Sequence, residues 1–145
     1  MGCALSGYAG LSLWHQTAGD PWDPRAPLPG DTDADVVVVG AGYTGLWTAY
    51  YLAEADPTLR IVVLEAEVAG YGASGRNGGW CSALFPASLD TLARLSPAGR
   101  IGALAQHAAM RGSVREVVRV AEAAGHGAPA AVGGASVQAR GLRPV

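Results

Sequence analysis

The chain has 145 residues, one domain's worth, and it is half apolar with only 15% charged residues, which excludes a disordered or solvating segment. A net charge of −2 argues against nucleic-acid binding, which needs a basic field to displace counterions from phosphates. All ten basic residues are arginine, so lysine chemistry is excluded too: no Walker-type clamp, no Schiff base and no Ser–Lys dyad.

Residues 1–34 read as a Pro-rich extension, because Asp20-Pro21, Asp23-Pro24, Ala26-Pro27 and Leu28-Pro29-Gly30 hold the backbone out of regular structure. No Lys or Arg precedes Arg25 and no sustained apolar core follows the first residues, so no secretory signal is expected. Met1-Gly2-Cys3-Ala4-Leu5-Ser6 fits an acylation pattern, but the pattern is short and loose and is taken as a chance match. Cys3 and Cys81 form neither a CxxC nor a metal-ligand spacing, which makes a reducing, cytoplasmic setting the default and leaves no metal site expected.

From Asp35 to Val39 runs a continuous β-branched strand, of the kind found covered on both faces in a parallel sheet. A helix over 44–55 follows, with Leu46, Ala49, Tyr50 and Ala53 near helical spacing, and Asp56-Pro57 stops it. A second buried strand spans 60–65, so strand, helix and strand form a right-handed βαβ unit. The uncharged run 36–53 is too interrupted by glycine to cross a membrane. After a glycine-rich loop at 70–79, a short helix is predicted over 88–95. A longer one opens at Ser96-Pro97, with Pro at its first position, and Gly125 ends it. Its apolar stripe is Ile101, Leu104, Ala105, Ala108, Val114, Val117, Val118 and Ala121, and Arg111, Arg115 and Arg119 form a solvated face. Residues 125–145 have no acid and no clear period and read as an irregular tail.

The chemistry sits between the first strand and helix. Gly40-Ala41-Gly42-Tyr43-Thr44-Gly45 is a GxGxxG in a strand–turn–helix context. Gly40 allows the tight turn, Gly42 lets a pyrophosphate approach the backbone, and Gly45 lets helix and strand pack closely. Unpaired amides at the helix start, at Tyr43 and Thr44, then face the phosphates. Glu65 ends the second strand 20 residues after Gly45, where a carboxylate accepts from a ribose and repels a 2′-phosphate, disfavouring NADP. The fingerprint itself leaves NAD and FAD both open.

Glu65-Ala66-Glu67 leads into Gly72-Ala73-Ser74-Gly75-Arg76-Asn77-Gly78-Gly79. This loop resembles that of the FAD-dependent amine and amino-acid oxidoreductases of the D-amino acid oxidase type, most closely their gamma-glutamylputrescine oxidoreductase branch. The Ser12-Leu13-Trp14 opening and the 25–31 stretch share the likeness, which covers roughly residues 11–125. The resemblance implies FAD as cofactor and hydride transfer from a C–H beside an amine nitrogen, leaving an imine that hydrolyses. It implies a small-molecule amine or amino-acid substrate. It also places Ser74, Arg76 and Asn77 along the phosphates and ribityl chain, with Gly78 and Gly79 near the flavin ring. The candidate cofactor-binding set is therefore Gly40, Gly42, Tyr43, Thr44, Gly45, Glu65, Ala66, Gly72, Ser74, Arg76, Asn77, Gly78 and Gly79.

No catalytic residue emerges: His15, His107 and His126 are scattered and read as structural or surface, and Cys81 as a buried inert thiol. The expected fold class is α/β, the βαβ part of a Rossmann-like FAD-binding domain spanning 35–124. Only two parallel strands are evident, whereas a doubly wound sheet has about six, and the family's members run to several hundred residues with a separate substrate domain. The chain is thus expected to be an N-terminal fragment, truncated or frame-disrupted, that turns over no substrate. The competing readings are an NAD-dependent dehydrogenase fragment and a non-catalytic nucleotide-binding module.

Overall fold

A computed structural model describes residues 7–19 and 22–125, and the backbone of two later strands. The acylation pattern at residues 1–6, the Asp20-Pro21 pair and His126 lie outside the described residues. The chain divides into two compact units, Met1–Asn77 and Gly78–Val145.

In the first unit, β1 (Val36–Val39) and β2 (Ile61–Leu64) pair in parallel, with Val36 opposite Ile61 and Val39 opposite Leu64. A parallel pair needs a crossover, and α2 (Tyr43–Ala55) supplies it, packing on both strands. Asp35 and Arg60 clip the start of the ladder, and the Gly40 N–H closes its end on the Leu64 carbonyl at 2.7 Å. Asp56 ends α2 by turning to extended backbone while its carboxylate takes the Thr58 N–H at 3.0 Å, the local bond that makes Asp a turn residue. The mixed α/β class is as the sequence predicts.

Strand β1 has the sequence of a doubly covered strand, but with only two parallel strands among the described residues a covering layer is missing, as expected of so short a sheet. Val36 and Val38 are half-buried, but Val37 and Val39 are 53% and 84% exposed. The cause is that α2 lies over one face of the pair, where Gly45 meets Val38. The expectation that the first 34 residues are wholly irregular is corrected, since α1 (Leu13–Thr17) forms there. The Ser12 hydroxyl caps it by accepting the His15 N–H at 3.2 Å, a preferred N-cap.

In the second unit, β3 (Trp80–Ser82) pairs antiparallel with β5 (Ser136–Ala139), which pairs antiparallel with β4 (Ala130–Gly133). So the segment expected to be an irregular tail carries two strands. Alanine and glycine weaken local strand signals, and the pairing of β5 with both its neighbour β4 and the distant β3 supplies what composition does not. Helices α3 (Leu89–Leu95) and α4 (Gly99–Ala123) pack on each other. Ser88 caps α3, but Pro97 lies ahead of the α4 N-cap, Ala98, rather than at its first helical position.

The core of this unit is Ala83 with Val114, backed by Cys81, Met110 and Val118. The predicted stripe holds in the second half of α4 and fails in the first, where Ile101 is 79% exposed, Leu104 is exposed as well and Ala103 is buried instead. The buried line 103–110–114–118 keeps helical spacing, displaced in the first half of the helix from the predicted stripe. Arg111, Arg115 and Arg119 are all exposed, as expected of a solvated face.

Candidate nucleotide-binding site

The turn between β1 and α2 is built as its glycines require. Gly40 leaves the strand at φ +98°, in the region favouring glycine. A Cβ on Gly45 would overlap the Gly40 carbonyl oxygen and lie 3.1 Å from Val38 Cγ1, so only hydrogen fits between helix and strand. A Cβ on Gly42 would stand 3.0 Å from the Ser74 hydroxyl.

Gly42 is the N-cap of α2 and offers no side chain to its first turn. The Tyr43 N–H donates instead to Ser74 Oγ at 2.9 Å, and the helix ladder starts only with the Leu46 N–H on the Gly42 carbonyl at 3.0 Å. Among the described residues the Thr44 and Gly45 amides have no protein acceptor, which is the arrangement that favours an anion at a helix start.

Glu65 stands just beyond β2 and faces the same turn. Its Oε2 accepts the Ala41 N–H at 2.7 Å and its Oε1 the Glu67 N–H at 3.2 Å. These backbone donors, Ala41 first and then Glu67, with a lesser one from Ala66, hold its carboxyl below the ordinary glutamate value. Glu65 is thus an anion at neutral pH, and the spare lone pairs of its two oxygens remain open to hydroxyl donors. That role for Ala66 is through its backbone; its side chain is exposed.

The following loop returns to the turn through a 3-10 turn at Ala73–Gly75. Gly70 donates its N–H to the Ala41 carbonyl at 2.9 Å. Asn77 Nδ2 donates to the Ser74 carbonyl at 2.6 Å and to Tyr43 Oη at 2.9 Å. Arg76 turns its Nε onto the Gly72 carbonyl at 3.2 Å and stacks its guanidinium over Tyr71, 5.3 Å from the ring centre.

The fold therefore brings Gly40, Gly42, Tyr43, Thr44, Gly45, Glu65, Ser74 and Asn77 together, with Gly72, Arg76 and Ala66 alongside. Gly78 and Gly79 open the second unit, where Gly79 has φ +75°.

The remaining candidates behave differently. Cys81 belongs to the core of the second unit, and burial pushes its thiol up, which suppresses the thiolate that reactivity needs. His107 lies against Phe85 at 5.3 Å. His15 is nearly completely buried, 2% exposed, and its Cε1 sits 2.6 Å from where a Cβ on Gly75 would be. The sequence reading missed this coupling to the loop; the Ser12 cap was the one local signal near it. Among the described residues no cluster of His, Cys, Asp or Glu is placed to hold a metal, and no helix is long and apolar enough to cross a membrane.

The model of one protein family, described as FAD dependent oxidoreductase, matches residues 35–138. The chain belongs to that family. Its members depend on FAD, and the match continues past Gly125, so the change of composition there does not end the relationship. Among curated relatives, the gamma-glutamylputrescine oxidoreductase of Escherichia coli (strain K12) is 41% identical over 81 residues, covering 56% of this chain and 18% of that protein. Thiamine thiazole synthase of Emericella nidulans is 48% identical over 52 residues, 36% of this chain and 16% of that protein. A probable oxidoreductase, OrdL, of Haemophilus influenzae is 44% identical over 64 residues, 44% of this chain and 14% of that protein. The matched part spans less than a fifth of each of these relatives. No solved structure matches.

Proposed function

We propose that this chain is the FAD-binding portion of an oxidoreductase acting on a small amine or amino acid. The observation that carries the reading is the pairing of an uncapped α2 start with the Glu65 carboxylate anchored on the Ala41 amide. The open Thr44 and Gly45 amides take pyrophosphate oxygens, aided by the helix dipole. Ser74 accepts the Tyr43 N–H and so keeps its own hydroxyl proton for the same anion. Glu65 accepts from the adenosine ribose. Gly72, Arg76 and Asn77 follow the cofactor onward, with Ala66 shaping the approach.

FAD held there would supply the acceptor for hydride from the C–H beside the amine nitrogen. The family match favours it over a nicotinamide dinucleotide. The amine class rests on the gamma-glutamylputrescine oxidoreductase relative, whose name specifies an amine derivative. The half-open sheet, with Val37 and Val39 exposed, supports a further reading that these 145 residues bind but turn over no substrate by themselves.

Adding FAD to the purified full chain and desalting tests the binding. Wild type retains the visible flavin band, and Gly42→Trp, which must displace Ser74, loses it. A wild type that keeps no flavin, or a variant that keeps as much, would reject the site.

A further inference from the structure

The N-terminal segment touches the cofactor loop at three points far away in sequence. Tyr8 Oη donates to Glu67 Oε2 at 2.5 Å, and its ring meets Tyr71 edge-on at 6.1 Å. The Trp14 indole N–H donates to the Asn77 carbonyl at 2.8 Å. His15 is packed on Gly75, and its own carbonyl is held by the Trp22 indole N–H at 2.7 Å. Glu67 at the start of the loop and Gly75 and Asn77 near its end are engaged, Glu67 and Asn77 by directional bonds.

We infer that Tyr8, Trp14 and His15 form a clamp that fixes the 67–77 loop, with Trp14 as its main positioning residue. The Asn77 carbonyl, once held by Trp14, fixes the backbone from which the Asn77 amide reaches Tyr43 and Ser74. Trp14 thereby orders the loop against the helix start through the Asn77 backbone. The inference rests on the proposed FAD site only in its consequence for binding; the clamp is a property of the chain alone.

The test uses the full chain with two readouts. Trypsin cuts only at arginine here, since there is no lysine, so cleavage after Arg76 is followed by mass spectrometry without FAD, with cleavage after Arg60 as the internal reference. Losing one part-buried hydrogen bond in Trp14→Phe is expected to speed cleavage after Arg76 about tenfold while leaving Arg60 unchanged. The second readout is flavin affinity and the visible circular dichroism of bound FAD, both expected to change in Trp14→Phe. Unchanged cleavage after Arg76 would overturn the clamp. Should Trp14→Phe open both sites together, Tyr8→Phe decides instead: it removes one bond, and faster cleavage at Arg76 alone supports the clamp, whereas no change rejects it. If wild type binds no FAD yet Trp14→Phe still frees Arg76, the clamp stands and the cofactor reading fails. If FAD is bound equally and cleavage is unaltered, the reverse holds.

Discussion

Gly45 separates the two forces acting on a helix glycine. Alanine there gains about 1 kcal/mol of intrinsic helix propensity, but its Cβ must push the Gly40 carbonyl or the Val38 methyl aside. Overpacking of that kind costs about 1–3 kcal/mol, and both neighbours belong to a strand and its turn, which cannot give way as a flexible side chain does. Gly45→Ala is therefore expected to destabilise the chain by about 1 kcal/mol net of the propensity gain, read as a lower urea midpoint at unchanged slope. Stabilisation instead would mean that helix and strand are not in close approach at this point. Gly42 differs, because its only close neighbour is the Ser74 hydroxyl. Alanine there is accommodated by a rotamer change, at the cost of the Ser74 bond to Tyr43.

The register of β1 on β2 is set before the strands begin. Asp35 Oδ2 takes the Arg60 backbone N–H at 2.9 Å and its Nε at 3.0 Å, and Oδ1 takes Nη2 at 2.9 Å. The Arg60 side chain first and its backbone amide second lower the Asp35 carboxyl to about 2. A depressed folded-state value means stability present above the unfolded value near 3.9 and lost as pH falls through the folded one. Asp35→Asn should thus be less stable than wild type at neutral pH, with the gap closing between about pH 4 and about pH 2 in parallel thermal melts. A gap independent of pH would show that the charge does not hold the register. Both strands and α2 were legible because each announces itself within a few residues: Val-Val-Val-Val, Ile-Val-Val-Leu, and GxGxxG between them. Helix α1 was overshadowed by the prolines and aspartates that begin at Asp20 just after it, its one signal the Ser12 cap. Strands β4 and β5 were hidden by their alanines and glycines; β4 pairs only with β5, which follows it directly, and β5 alone also pairs with a strand distant in sequence, β3. In the site, the fingerprint and Glu65 were readable from spacing, while the bonds of Ser74 to Tyr43 and Trp14 to Asn77 span 31 and 63 residues and leave no local pattern.

At the scale of the whole molecule, the sequence of the parallel pair and its surroundings disagree. Strands this uniformly apolar belong in sheets covered on both sides, yet α2 lies over only one face of this pair. Val37 and Val39, two apart and so on the same side of β1, are open to solvent at 53% and 84%. An exposed apolar strand face favours association with like surfaces. The purified chain is accordingly expected to associate with rising concentration in sedimentation velocity. Replacing both valines by threonine keeps the β-branched shape that suits a strand while making the face polar. Because both sites are exposed, the change should alter folding stability by no more than about 0.5 kcal/mol per site and yet shift the distribution toward monomer. If the double variant associates as strongly as wild type, another surface drives association and the open face of the sheet is not the liability its composition suggests.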